Sequence, residues 1–141
     1  MSDFKAAKQF AEENGLVIIE SRGDVLQLDI DDEEAMETFK QNLRILRGIT
    51  PLREQIETVS KSGHRHIYLK TEYQFSPQER ICIQASMGSD RKRELLSLRN
   101  LKENRELPMF LYETPESART VEHLTPAWQA EEEKRVEAIF S

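Results

Sequence analysis

The chain has 141 residues, with 20 Lys+Arg, 26 Asp+Glu, three His, one Cys, a net charge of −6 and a pI of about 5.2. That length fits one domain, and 38% hydrophobic beside 33% charged residues supplies a core under a well-solvated surface. One cysteine excludes an internal disulfide and a zinc site built on several thiolates, and the acidic balance argues against a general nucleic-acid coat. The longest apolar stretch, Leu16–Ile19, is far short of the roughly 18–20 residues that span a bilayer, and no signal-peptide pattern opens the chain. A soluble cytoplasmic protein without a membrane partner is expected.

Phe4, Ala7, Phe10 and Ala11 recur at helical spacing over Asp3–Glu13, and Asn14-Gly15 closes that helix. Leu16–Glu20 and Val25–Asp31 read as strands flanking the turn Ser21–Asp24, which predicts an antiparallel hairpin. Asp31-Asp32-Glu33-Glu34 puts acid at a helix start, where the macrodipole favours it; Ala35, Phe39, Leu43 and Leu46 carry the stripe to about Arg47. Glu54–Ser60 and His64–Thr71 are strands around the turn Ser60–Gly63. Ser76-Pro77-Gln78-Glu79 is a capping box opening a helix to about Met87. Gly88 breaks it, Asp90 caps a further helix to about Leu101, Met109–Tyr112 is a short strand, and Thr125-Pro126 opens a last helix, Ala127–Ile139.

This order predicts an α+β fold: a mostly antiparallel sheet of four to five strands with helices mainly on one face. Residues 1–113 form the core domain, and 114–141 an acidic extension whose helix, with Trp128 and Phe140, offers a surface to a protein partner. Charge is unevenly spread. Between Asp90 and Arg105 lie six bases (Arg91, Lys92, Arg93, Arg99, Lys102, Arg105) and three acids, whereas Glu113–Ser141 has seven acids and three bases. One local patch therefore suits phosphate, while the whole surface does not.

Three elements carry chemistry. In Val25–Asp31, strand alternation sends Leu26, Leu28 and Ile30 to the core and leaves Gln27, Asp29 and Asp31 on the other, open face. Carboxylates at i and i+2 stand about 6–7 Å apart along a strand, close enough to share a divalent ion, for which Mg²⁺ or Mn²⁺ is the natural choice. The plainer role of Asp31 and Asp32 is to cap the next helix. In Ser60–Leu69, Ile67 and Leu69 face the core with the stem of Arg65. His64, His66, Tyr68 and Lys70 share the opposite face; the Ser/Gly turn offers N–H groups to phosphate, and Ser62 and His64 are the phosphate ligands expected there. If the two strands pair, Asp29, Asp31 and His66 converge. In Met87–Glu94, Asp90 is a third acid for the metal, and Arg91, Lys92 and Arg93 are phosphate ligands; the plainer reading is a helix cap followed by a solvated basic turn.

A strand carrying Asp29-x-Asp31, followed by Ser60-x-Ser62-Gly63-x-x-His66 on a later strand, resembles the archaeo-eukaryotic primase superfamily, which includes primase-polymerases of plasmids and phages. The resemblance spans about residues 16–101. It implies an RRM-like sheet whose open face holds two divalent ions and a nucleoside triphosphate. Carboxylates (Asp29, Asp31 and Asp90) would hold the ions, and the histidine of the second motif, His64 or, better, His66, would touch phosphate. The stretch Arg80–Leu101 also resembles small stand-alone phage proteins. A reduced relative, phage- or mobile-element-encoded, is thus expected to act on nucleotides or nucleic acid by metal-dependent phosphoryl (nucleotidyl) transfer, as a nucleotidyltransferase or a phosphodiesterase. The alternative on the same fold is a non-catalytic nucleotide- or nucleic-acid-binding accessory protein or inhibitor.

Overall fold

The computed structural model describes residues 3–124, so the expected helix Ala127–Ile139 and its Trp128/Phe140 stripe lie outside the described residues. Helix α1 (Asp3–Asn14) leads into β1 (Val17–Glu20) and β2 (Val25–Ile30), then α2 (Glu33–Ile49), β3 (Leu52–Val59), β4 (Arg65–Thr71), α3 (Pro77–Ser86), α4 (Arg91–Lys102), β5 (Phe110–Glu113), α5 (Pro115–Val121) and a 3-10 turn, Glu122–Leu124. The fold is α+β, and the described residues hold five antiparallel strands, divided into a three-stranded sheet of order β2-β4-β3 and a pair β1-β5. Among the described residues no helix is long and apolar enough to cross a membrane.

The expected β1–β2 hairpin does not form. β1 pairs with β5, Ile19 opposite Leu111, and the turn retains a single bridge between Arg22 and Val25. β1 reaches β2 through a side chain instead: Gln27 Nε2 donates to the Ile19 carbonyl at 2.8 Å.

The free edge of β2 is capped by the α3–α4 segment. Gln27 N donates to Gln84 Oε1 (3.0 Å), Asp29 N donates to Ser89 Oγ (3.0 Å), the Asp29 carbonyl accepts from Asp90 N (2.8 Å), and Arg93 Nη1 donates to the Gln27 carbonyl (2.8 Å). Every ladder group at these two residues is satisfied without another strand, which removes the usual hazard of an unpaired edge. Gly88 makes the turn possible. Its φ is +92°, and a Cβ there would come within 2.5 Å of the Ala35 carbonyl oxygen at the start of α2.

Leu26, Leu28 and Ile30 are buried as alternation requires, and with Ile67 and Leu69 they pack on Met36, Phe39 and Leu46 of α2 and on Met87 after α3. The other face is not open. Val25 and Tyr68 pack there on Leu111, Val121 and Leu124. Gln27 is 0% exposed, enclosed by Ile19 and Arg93. Helices therefore cover one face, while β5, α5 and the 3-10 turn cover much of the second. The core also runs past residue 113 to Leu124, so the start of the acidic extension belongs to the domain. Helix α5 escaped the sequence reading although Thr114-Pro115 announces it: Thr114 Oγ1 accepts from Ser117 N, and Pro115 stands in the first turn.

Candidate metal and phosphate site

The β2–β4 register sets Asp29 directly opposite His66 and Ile30 opposite Arg65. One step further along, Asp31 just beyond β2 meets His64 just before β4, with Oδ1 3.1 Å from Nδ1. Ligand atoms of Asp29, Asp31 and His64 all lie within 4.8 Å of one another. The imidazole that joins the two carboxylates is thus His64, which sequence placed among the phosphate ligands. His66 Nε2 stands 3.7 Å from Asp29 Oδ1, outside hydrogen-bond distance, and that buried oxygen has no hydrogen-bond partner among the described residues.

His66 is buried and turned toward Glu113, whose Oε1 is 3.0 Å from Nδ1. The other Glu113 oxygen accepts from Tyr68 Oη at 2.7 Å and from Thr58 Oγ1 at 2.6 Å. Burial pushes the Glu113 carboxyl up, but hydrogen bonds from His66, Thr58 and Tyr68 outweigh it and hold the group below its ordinary value. An ionised carboxylate only accepts, so Nδ1 carries the proton and Nε2 is turned toward Asp29. Sequence reading missed Glu113 because it ended the strand at Tyr112. A strand one residue longer puts Glu113 in phase with Leu111, the signal that a core-facing carboxylate needs partners.

Asp90 is brought in by the edge bonding of β2. Its backbone N–H holds the Asp29 carbonyl, and its Oδ1 accepts from Lys92 N at 3.3 Å as the cap of α4. Burial, with the negative charges of Asp29 and Asp90, pushes the Asp31 carboxyl up to about 6 against the opposing effect of His64. Carboxylates crowded this way favour either a shared proton or a cation. The unpartnered Asp29 Oδ1 and the raised Asp31 fit a divalent ion. The imidazole in the donor set suits Mn²⁺ better than Mg²⁺, which prefers oxygen ligands.

Asp29, His64, His66 and Asp90 border a cleft of about 800 Å³ that Ser62 and Lys92 also line, and Asp31 stands just outside that lining. The basic cluster divides. Arg93, assigned to phosphate from sequence, is largely buried and bonded to Glu94 Oε1 (2.6 Å), Gln27 Oε1 (2.9 Å) and the Phe110 carbonyl (3.2 Å), so it braces α4 against β2 and β5. Glu94 in turn accepts from Gln84 and Ser89, which fixes the segment that carries Asp90. Arg91 is exposed and Lys92 is the exposed cation of the trio that lines the cleft. The Ser60–Gly63 turn keeps several polar groups for itself: the N–H groups of Ser60, Gly63 and His64 bond within the hairpin, and Ser62 Oγ lies 3.0 Å from Ser60 Oγ. Comparison with family models, curated proteins and solved structures returns no match for this chain.

Proposed function

We propose that the protein carries out divalent-metal-dependent phosphoryl (nucleotidyl) transfer on nucleotides or nucleic acid. The observation that carries this reading is the meeting of Asp29, Asp31 and His64 ligand atoms within 4.8 Å, beside a cleft lined by Asp29, His64 and Lys92. Asp29, Asp31 and His64 would hold the ion, with Asp90 adding negative charge nearby. When bound, it would supply positive charge against a phosphoryl group and acidify a hydroxyl or water. Lys92 would neutralise phosphate at the wall of the cleft, Ser62 would offer its hydroxyl, and His66, held by Glu113, would present Nε2 to the reacting face. The primase-like order of Asp29-x-Asp31 and the His64/His66 strand agrees with this chemistry.

The test is Mn²⁺-dependent extension of an oligonucleotide primer, or pyrophosphate release from a nucleoside triphosphate, by the wild type and by an Asp29→Asn/Asp31→Asn variant. Turnover that requires Mn²⁺ and is lost in the variant supports the reading; turnover indifferent to both overturns it. One observation favours a second reading, binding without turnover: Arg93 is committed to the fold, which leaves fewer cations for the phosphates. Mn²⁺-dependent nucleotide binding with no product would select it.

A further inference from the structure

Beyond its polar residues the cleft has an aromatic wall with no role in holding metal or phosphate. β5 turns Leu111 and Glu113 inward and leaves Phe110 and Tyr112 on the opposite face, half-buried. Phe110 meets Tyr112 edge-on at 5.0 Å between centroids and 85° between planes. Phe10 of α1 lies against the same Tyr112 ring at 5.1 Å and 54°, yet remains 48% exposed. Three rings from two distant segments thus make one surface inside the cleft. Leu96 of α4, 40% exposed, adds to the apolar lining.

This wall is tied to the metal-binding end. Lys61 Nζ, in the turn before His64, donates to the Asn14 carbonyl at 2.8 Å, and Asn14 Nδ2 donates back to the Phe10 carbonyl at 2.8 Å. Glu113, next to Tyr112, grips His66 opposite Asp29. A cleft of about 800 Å³ falls within the roughly 300–1,000 Å³ range of small-ligand sites. A ligand filling it needs an anionic end for the cation and Lys92, and a flat π-faced end for the rings. A nucleobase presents such a face, and stacking accepts any base.

We propose that Phe10, Tyr112 and Phe110 form a base-stacking subsite for a mononucleotide whose phosphates lie at Asp29, Asp31 and His64. The proposal rests on the metal and phosphate reading above and extends it to the substrate's base. Isothermal titration of the full chain in Mn²⁺ with ATP and, separately, with inorganic tripolyphosphate distinguishes the two. Wild type should bind ATP about 5- to 150-fold more tightly than tripolyphosphate, the range expected of one base–aromatic stack. Phe10→Ala and Tyr112→Ala should lose most of that preference while tripolyphosphate affinity stays unchanged, and Phe10→Trp should keep it. Phe10 is half-exposed, so the Phe10→Ala/Phe10→Trp pair decides the matter even if Tyr112→Ala fails to fold. Equal affinity for the two ligands, or a preference unaffected by Phe10→Ala, overturns the stacking subsite and leaves the phosphate reading standing. Failure of both ligands to bind in Mn²⁺ overturns both.

Discussion

Asp31 and Glu113 show opposite consequences of packing carboxylates around one strand pair. Burial and the charges of Asp29 and Asp90 raise the Asp31 carboxyl from 3.8 to about 6, so between those values the folded chain binds more protons than the unfolded one. A raised carboxyl destabilises the fold once ionised: its cost is absent below about 3.8 and fully present above about 6. Asp31→Asn should therefore raise the melting temperature of the metal-free protein at pH 7.5 and leave it nearly unchanged at pH 4. Equal effects at both would place the charge strain elsewhere. Glu113 is held below its ordinary 4.5 by its three donors, after their gain is set against burial. Its contribution is present above pH 4.5 and is lost as pH falls through the lower folded value. Glu113→Gln should cost about 1–3 kcal/mol at pH 7, because an amide accepts through one oxygen and sets its NH₂ against a donor. Denaturant titration at pH 7 and pH 3 checks this, with the larger loss expected at pH 7.

At the scale of elements, the capping of β2 by the α3–α4 segment both closes the sheet edge and delivers Asp90. Gly88 is the turning point of that arrangement: its left-handed φ disfavours any side chain, and the Ala35 carbonyl oxygen lies 2.5 Å from where a Cβ would stand. Gly88→Ala should destabilise by at least the roughly 1–3 kcal/mol of a strained backbone position, read as a lower denaturant midpoint. A midpoint like that of the wild type would show that the segment 87–90 yields easily. The same arrangement explains Arg93. Four residues that look like a solvated basic turn in sequence, Arg91–Glu94, split by helical phase: Arg91 and Lys92 stay exposed, while Arg93 turns onto Gln27 of β2 and the buried Glu94 onto Gln84 and Ser89.

For the molecule as a whole, the cluster of Leu26, Leu28, Ile30, Ile67 and Leu69 against α2 is the principal apolar layer beneath the site. Leu28 is 0% exposed, and Leu28→Ala should cost about 2–5 kcal/mol in equilibrium unfolding; less than about 1 kcal/mol would contradict its burial. A ligand bound only by the folded chain raises stability by linkage, about 2.7 kcal/mol at a concentration one hundred times its dissociation constant. Mn²⁺ should accordingly raise the melting temperature of the wild type, and the Asp29→Asn/Asp31→Asn variant should lose that shift.

The local chemistry of the chain determined most of its elements. Alternation in Val25–Ile30 set which face Leu26, Leu28 and Ile30 bury, the Ser76–Glu79 box opened α3, and Asp32 and Asp90 cap α2 and α4. Two acids two residues apart on a strand, followed by two histidines at the same spacing, were also legible as a candidate site, because strand periodicity acts within a few residues. Tertiary structure alone decided the rest. No local rule told β1 to pair with β5, about ninety residues on, rather than with its neighbour β2. Nor could Gln27 be known to be covered, since the groups that cover it come from β1 and α4. The choice between His64 and His66 is of the same kind: both share a face, and it was pairing register together with the buried Glu113 that left His64 to the carboxylates and drew His66 inward. Alternation specifies a face, whereas the partners brought to that face depend on long-range packing that no window of sequence contains.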